Sequence, residues 1–299
     1  MKDVVVGASG WISRVAVDLL TEKFGTGEDS ISVYASYART ETQDNGQVLN
    51  VKLWDQIREN DKVRYFLPFA FLTVDKFDIY GEKKYRDLNY ELIEKADEFI
   101  GLNKPEYCIL MSSGIIHSNL SILNRPAQYQ AYRELKLLEE NVLKERCFST
   151  GTRLVICRLF SASGGRIRDF RKYAIANFAY QGMKFGRIQV SSPFPTYRKY
   201  VDMGQLLEIC LHTVREVDLL EFDSSGCLIE LHELASRIAH ELNLNQGEFR
   251  VLEGETDRYY SASIDMETLA EKYEIPLFPI DKQIRETIFG VKKLMSQES

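Results

Sequence analysis

Four groups of side chains in this sequence could do chemistry. The first is Gly7, Ser9 and Gly10, placed directly after the β-branched run Val4 to Val6. A strand that breaks at such a turn and re-enters as a helix leaves the first N–H groups of that helix, and the positive end of its dipole, facing outward; a phosphate fits there. Gly7 allows the sharp turn, Gly10 lets a pyrophosphate approach, and Trp11 and Ile12 open the helix, so all five residues are candidate cofactor contacts. The second group is Ser36 and Arg39, just after the run Ile31 to Ala35. No acidic residue stands between Ile31 and Thr40 to hold a ribose 2′-hydroxyl. A hydroxyl and a guanidinium suit a 2′-phosphate, so NADP is the expected cofactor and NAD the alternative; the competing reading of Arg39 is an exposed arginine on a loop. The third group, Ser112 and Ser113, ends the apolar run Tyr107 to Met111. The fourth, Tyr132 and Lys136, is four residues apart, which puts both side chains on one helix face. That spacing is also common on ordinary half-exposed amphipathic faces.

The elements that must position these groups alternate strand with helix. Strands are expected at Val4 to Val6, Ile31 to Ser36, near Val51 to Leu53, at Val63 to Leu67 and at Tyr107 to Met111. Helices are expected after Gly10, between Lys83 and Ile100 with Asn89, a candidate cofactor contact, on the inner approach, and from about Ala127. Such alternation predicts an α/β fold, a Rossmann-type doubly wound parallel sheet. Phe66, Leu67 and Pro68 would line the adenosine and nicotinamide side of the cofactor. Ser113 would lie at the carboxyl edge, where open sheets collect their ligands. The third position of the G-x-x-G-x-x-G spacing is Ser13, small enough to keep helix and strand in contact.

Composition excludes several function classes. The chain has 299 residues, 44% of them hydrophobic, enough for a large core. A formal net charge of -6 argues against a general nucleic-acid binder, which needs a basic face. No apolar run approaches the ~18 residues of a membrane helix. The first strand starts at the fourth residue and leaves no room for a signal peptide, so a cytoplasmic location is expected. The five cysteines lack C-x-x-C spacing, and His232 and His240 share a predicted helix without a carboxylate motif, so neither a disulfide framework nor a metal site is expected.

The order of glycine turn, strand ending in Ser113, Tyr132-x-x-x-Lys136 and the strand VICRLFSASG resembles the extended short-chain dehydrogenase/reductase family, the epimerases, dehydratases and reductases of nucleotide sugars. The similarity runs nearly end to end: RKYVDMGQLLEICL looks like the family's Val-Asp segment before a helix, and FDSSGCLIELHELASRIAHEL like its late strand-plus-helix unit. The resemblance implies that Tyr132 is the general acid or base at a substrate oxygen and that Ser113 hydrogen-bonds the same oxygen. Lys136 would hold the nicotinamide ribose and, as a nearby cation, lower the tyrosine's pKa. Hydride transfer to a ketone leaves negative charge on oxygen, which asks for such donors.

Departures from the family pattern narrow the reaction. Gly114 and Ile115 follow Ser113 where the family's dehydratases carry an acidic pair. The Ser36 and Arg39 pair points to an exchangeable NADPH rather than the recycled NAD of an epimerase. Substrate contacts are expected from Ser161, where relatives have asparagine, from Arg166, Arg168 and Arg198, and from His117; the family's arginine before Val-Asp matches either Thr196 or Arg198. The resulting expectation is an NADP-binding domain over residues 1–160, its sheet completed by part of 200–225, and a smaller substrate-binding α/β region over 161–299, with the ligand in the cleft between them. The expected protein is a homodimer that reduces a keto group, of a 4-keto-6-deoxyhexose, on a nucleotide-activated sugar. Its rivals are an NAD-dependent epimerase and a catalytically silent dinucleotide sensor.

Overall fold

Buried β-branched strands alternating with amphipathic helices build the first of two compact units, residues 1–158 with 210–222; the second comprises residues 159–209 and 223–299. A computed structural model describes residues 1–27, 30–42, 48–56, 62–117, 126–245 and 256–297. In chain order the first unit contains β1 (Lys2–Val6), α1 (Trp11–Glu22), β2 (Ile31–Ala35), β3 (Arg39–Thr42), β4 (Val48–Leu53), β5 (Val63–Pro68), α2 (Phe77–Tyr80), α3 (Glu82–Asn103), β6 (Tyr107–Ser113), α4 (Ala127–Thr150) and β7 (Arg153–Leu159). The second holds β8 (Ala162–Ser163), α5 (Ala174–Phe185) and β9 (Thr196–Asp202). Helix α6 (Met203–Thr213) then leads back to the first unit's β10 (Leu219–Asp223). The second unit ends with β11 (Cys227–Glu230), α7 (Leu231–Glu241), β12 (Asp257–Arg258), α8 (Asp265–Lys272) and α9 (Ile280–Gln297).

The first unit's sheet has eight strands in the order β10-β7-β6-β5-β1-β2-β4-β3. Strand β1 is central and pairs in parallel with β2 on one side and β5 on the other. Strands β5 and β6 are likewise parallel, so the carboxyl ends of β1, β5 and β6 meet at one edge. That edge lies where the strand order reverses, the place at which open α/β sheets bind ligands. The fold is thus the expected α/β, Rossmann-type sheet, with one correction. Arg39 is not on a loop but opens β3, which runs antiparallel to β4 with Arg39 opposite Val51. The strand β3 reads Arg-Thr-Glu-Thr, with no apolar face to betray it, although its two β-branched threonines favour extended backbone.

Helices α3 and α4 pack side by side on this sheet. Arg86 reaches Glu134 at 2.9 Å and Arg146 reaches Asp97 at 2.6 Å, so the two helices run in the same direction. Beneath them Val4, Val6, Phe66, Phe99, Leu110, Leu143 and Ile156 form one buried cluster, with Phe66 and Phe99 stacked at 4.4 Å.

The second unit is organised on β9, which pairs antiparallel with β11 and parallel with β12 and β8. Glu230 caps α7 by accepting from the His232 and Glu233 N–H groups. Asp202 caps α6 in the same way through Gly204 and Gln205.

Candidate active site

The glycine turn is fixed by contact rather than by propensity alone. Gly7 has φ +90, and a Cβ there would stand 2.9 Å from the Phe69 and Ala70 backbone, so only glycine fits. The N–H groups of Gly7 and Ala8 both donate to the Tyr34 carbonyl at the end of β2, at 2.9 and 3.1 Å. Gly10 is the N-cap of α1; no side chain caps that end and no acidic residue lies in its first turn. Ser9 and Gly10 are exposed, Trp11 is buried and Ile12 half-buried. Ser13, in the third small position, donates to the Val6 carbonyl at 3.2 Å and so ties α1 to β1. An open, uncapped helix end beside a turn that admits no Cβ fits a dinucleotide's diphosphate.

Beside this turn, Ser36 is exposed. Arg39 stacks 4.4 Å over the Tyr37 ring and pairs with Glu41. Glu41 also pairs with Arg14 of α1, so one carboxylate holds two guanidinium groups. Neither Arg14 nor Glu41 stood out in the sequence; Glu41 lies one residue beyond the segment in which an acidic partner is sought.

At the end of β6, Ser112 and Ser113 are both buried. The Ser112 hydroxyl is buried without a partner among the described residues. The Ser113 hydroxyl hydrogen-bonds the Tyr132 phenol. Lys136, one turn further along α4, donates to the Met111 carbonyl at 3.2 Å and to Glu139 at 2.8 Å. Its ammonium also sits 3.7 Å above the Phe71 ring, whose edge meets Tyr132 at a centroid distance of 5.8 Å. Ser113, Tyr132 and Lys136 are therefore brought together, with Phe71 as an unforeseen fourth member. The only trace of Phe71 in the sequence is the Pro-Phe-Ala-Phe run that follows β5.

The electrostatics differ from what the resemblance implies. The Tyr132 phenol is pushed up to about 12, first by burial and then by Glu139 and Asp75, with only the Ser113 hydrogen bond opposing. Lys136 brings no lowering, and Glu139, the carboxylate that pairs with its ammonium, adds to the rise. That carboxyl is itself raised, since burial outweighs the attraction of Lys136 and Glu140 adds repulsion. The result is a phenol that keeps its proton at neutral pH and can donate it.

Asn89 is buried in α3; its Oδ1 accepts from the Leu72 N–H at 2.9 Å and its Nδ2 donates to the Tyr85 carbonyl at 3.2 Å. It thus holds the segment after β5 that carries Phe71. Phe66 and Leu67 are fully buried, Phe66 inside the core cluster. His117 is exposed at the end of the turn after β6, a turn held by Arg133 through the Ile116 carbonyl at 3.2 Å.

In the second unit, Ser161 is buried and Arg166 half-buried. The Arg168 Nε is buried without an acceptor among the described residues. Arg198 pairs with Asp257 at 2.9 Å and lies 5.5 Å over the Tyr259 ring. Thr196 is buried, its N–H given to Glu230 at 3.1 Å.

No family model matches the chain, and no curated protein does. Solved structures match along its whole length. UDP-N-acetylglucosamine 4-epimerase from Methanobrevibacter ruminantium M1, in complex with UDP-N-acetylmuramic acid, is 16% identical over 99% of this chain and 100% of that one, with a TM-score of 0.73. The Bordetella bronchiseptica enzyme WbmF in complex with NAD+ is 13% identical over 99% of this chain and 94% of that one, at a TM-score of 0.76. The UDP-glucose 4-epimerase of Thermus thermophilus, in complex with NAD, is 16% identical over 98% of this chain and 99% of that one, at 0.71. At these identities the likeness is one of fold, and it covers both units.

Proposed function

We propose that this chain is a nicotinamide-dependent oxidoreductase of the extended short-chain dehydrogenase/reductase type, and that it reduces a keto group on a nucleotide-activated sugar. The observation that carries the reading is the Tyr132 phenol, protonated and hydrogen-bonded to Ser113, at the same sheet edge as the Gly7 turn. The fold shared with nucleotide-sugar epimerases and with WbmF, solved with NAD+, supports it.

In this reading the Gly7 to Ile12 turn receives the diphosphate and Lys136 the nicotinamide ribose. A bound nicotinamide supplies the hydride. Tyr132 gives its proton to the substrate oxygen as charge develops there, while the Ser113 hydroxyl donates a second hydrogen bond to the same atom. Phe71 shields the ammonium from water and presses on the phenol, keeping both groups in place. In the second unit, Arg198 and Arg168 offer guanidinium groups to a sugar-nucleotide diphosphate, for which their planar donors are matched. Ser161, Arg166 and His117 remain substrate contacts of this proposal. NADP is the assigned cofactor on the strength of Ser36 and Arg39, and a 4-keto-6-deoxyhexose the assigned sugar.

An NAD-recycling epimerase is the second reading, favoured by the epimerase neighbours and by the Glu41 carboxylate beside the turn. A homodimer through α3 and α4, and a cytoplasmic location, belong to the proposal; Leu102 and Phe148 on those helices are 83% and 91% exposed. No helix among the described residues is long and apolar enough to cross a membrane.

The test is a panel of nucleotide-linked keto sugars with NADPH, followed by absorbance at 340 nm. Stoichiometric loss of NADPH supports the reductase. Interconversion of sugars with no net reductant consumed supports the epimerase instead. Tyr132→Phe should cut turnover by about 10²–10⁴ while leaving dinucleotide affinity unchanged; an unchanged rate removes the enzyme reading.

A further inference from the structure

Arg14 and Arg39 come from different elements, the first turn of α1 and the first residue of β3, yet both end on Glu41. The two oxygens are divided between them: Arg14 takes Oε2, and Arg39 takes Oε1. The three side chains are only 15% to 16% exposed, so their charges are partly withdrawn from water. The Arg14 Nε is buried with no acceptor among the described residues. Two guanidinium groups thus share one carboxylate and leave a donor unused, an arrangement short of one acceptor and of one negative charge.

We propose that Glu41 is an internal stand-in for the cofactor's 2′-phosphate, and that it sets the balance between the two nicotinamide dinucleotides. This inference rests on the dinucleotide reading of the glycine turn. A phosphate monoester carries about −1.5 to −2 charges at pH 7 and three acceptor oxygens, more than the carboxylate can offer two arginines and a spare N–H. Its entry requires Glu41 to give up Arg14 and Arg39, and the displaced carboxylate then repels it. A free 2′-hydroxyl meets no such repulsion and can donate to Glu41. The carboxylate therefore weakens, without removing, the phosphate preference that the two arginines confer.

The experiment is isothermal titration of wild type and Glu41→Gln with NADPH, NADH, 2′,5′-ADP and 5′-AMP. Glutamine keeps the size and removes the charge. The ratio of NADH to NADPH dissociation constants should rise about tenfold in the variant, from the gain of charge-assisted bonds. The 2′,5′-ADP to 5′-AMP comparison should follow it. Adding Arg14→Met to the variant should abolish the gain. A ratio within twofold of wild type, with both dinucleotides still bound, overturns the role of Glu41 and leaves the dinucleotide reading intact. If neither dinucleotide binds wild type, the reading fails and the inference with it. Should Glu41→Gln not fold, Glu41→Thr gives the same comparison, because threonine suits an extended strand and also removes the charge.

Discussion

Replacing Glu139 by leucine isolates the charge that governs the site. Lys136 and Glu139 are both 5% exposed at the side chain and meet at 2.8 Å, so each is the other's principal compensation for lost hydration. Leucine is similar in size and cannot accept a hydrogen bond. The ammonium would keep only the Met111 carbonyl and the Phe71 ring face, which do not neutralise it. Removing one member of a buried pair leaves an uncompensated charge and costs about 3–5 kcal/mol; with so little exposure, solvent screening gives no reason to discount that figure. Converted through a urea dependence of about 2–3 kcal/mol per molar, the midpoint should fall by roughly 1–2 M. Both tryptophans of the chain, Trp11 and Trp54, lie buried in the first unit, so tryptophan fluorescence reports that unit's unfolding. The double variant Lys136→Met with Glu139→Leu should recover most of the loss and return to within about 1 kcal/mol of wild type, since both charges are then gone. A single variant within about 1 kcal/mol of wild type, or a double variant as unstable as the two singles summed, would refute the idea of a mutually neutralised buried pair.

The same carboxyl gives a pH signature. Its pKa is raised in the folded protein, so the native state holds this proton to higher pH than the unfolded chain. Its contribution is therefore complete below about 4.3 and is lost as pH rises through the folded value. Glu139→Gln should flatten this fall in urea titrations taken from about pH 4 upward, and an unchanged difference profile would contradict it. Gly7→Ala should destabilise the first unit by at least about 1–3 kcal/mol and abolish dinucleotide binding, because its φ is +90 and its Cβ would strike the Phe69 and Ala70 backbone; a variant of full affinity would show that the turn has room. Gly290→Ala sets helix propensity against packing in α9. Alanine favours a helix by about 1 kcal/mol, but its Cβ would lie 2.2 Å from the Gly165 carbonyl, so a lower melting temperature is expected by circular dichroism, and a higher one would mean that the contact yields.

The parts of this molecule legible in the sequence are those specified by neighbours along the chain. Val4 to Val6 followed by Gly7 encodes strand and turn within a few residues, and the four-residue interval between Tyr132 and Lys136 encodes a shared helix face. Apolar periodicity likewise locates β2, β5 and β6. It is silent about β3, whose side chains are Arg, Thr, Glu and Thr and whose existence depends on pairing with β4. Phe66 shows a different limit: its place in β5 near the carboxyl edge suggested a cofactor wall, whereas its ring stacks on Phe99 within the core.

What stays hidden is the set of partners that decide how the visible residues behave. Glu139 stands three residues after Lys136, a spacing plain in the sequence, but an exposed pair at that interval is worth only about 0.2–0.5 kcal/mol and shifts nothing. Burial turns the same pair into the dominant local charge balance, and burial here depends on Phe71 arriving from the segment after β5, which Asn89 holds from α3. Glu41 behaves alike, becoming a bridge only because α1 and β3 bring Arg14 and Arg39 to it. In both cases a carboxylate occupies a cation that a bound ligand would otherwise claim. On the proposed reading a dinucleotide would compete with the protein's own acids at each end, at Lys136 and at Arg39, and its affinity would be the difference between two sets of ion pairs rather than the sum of one.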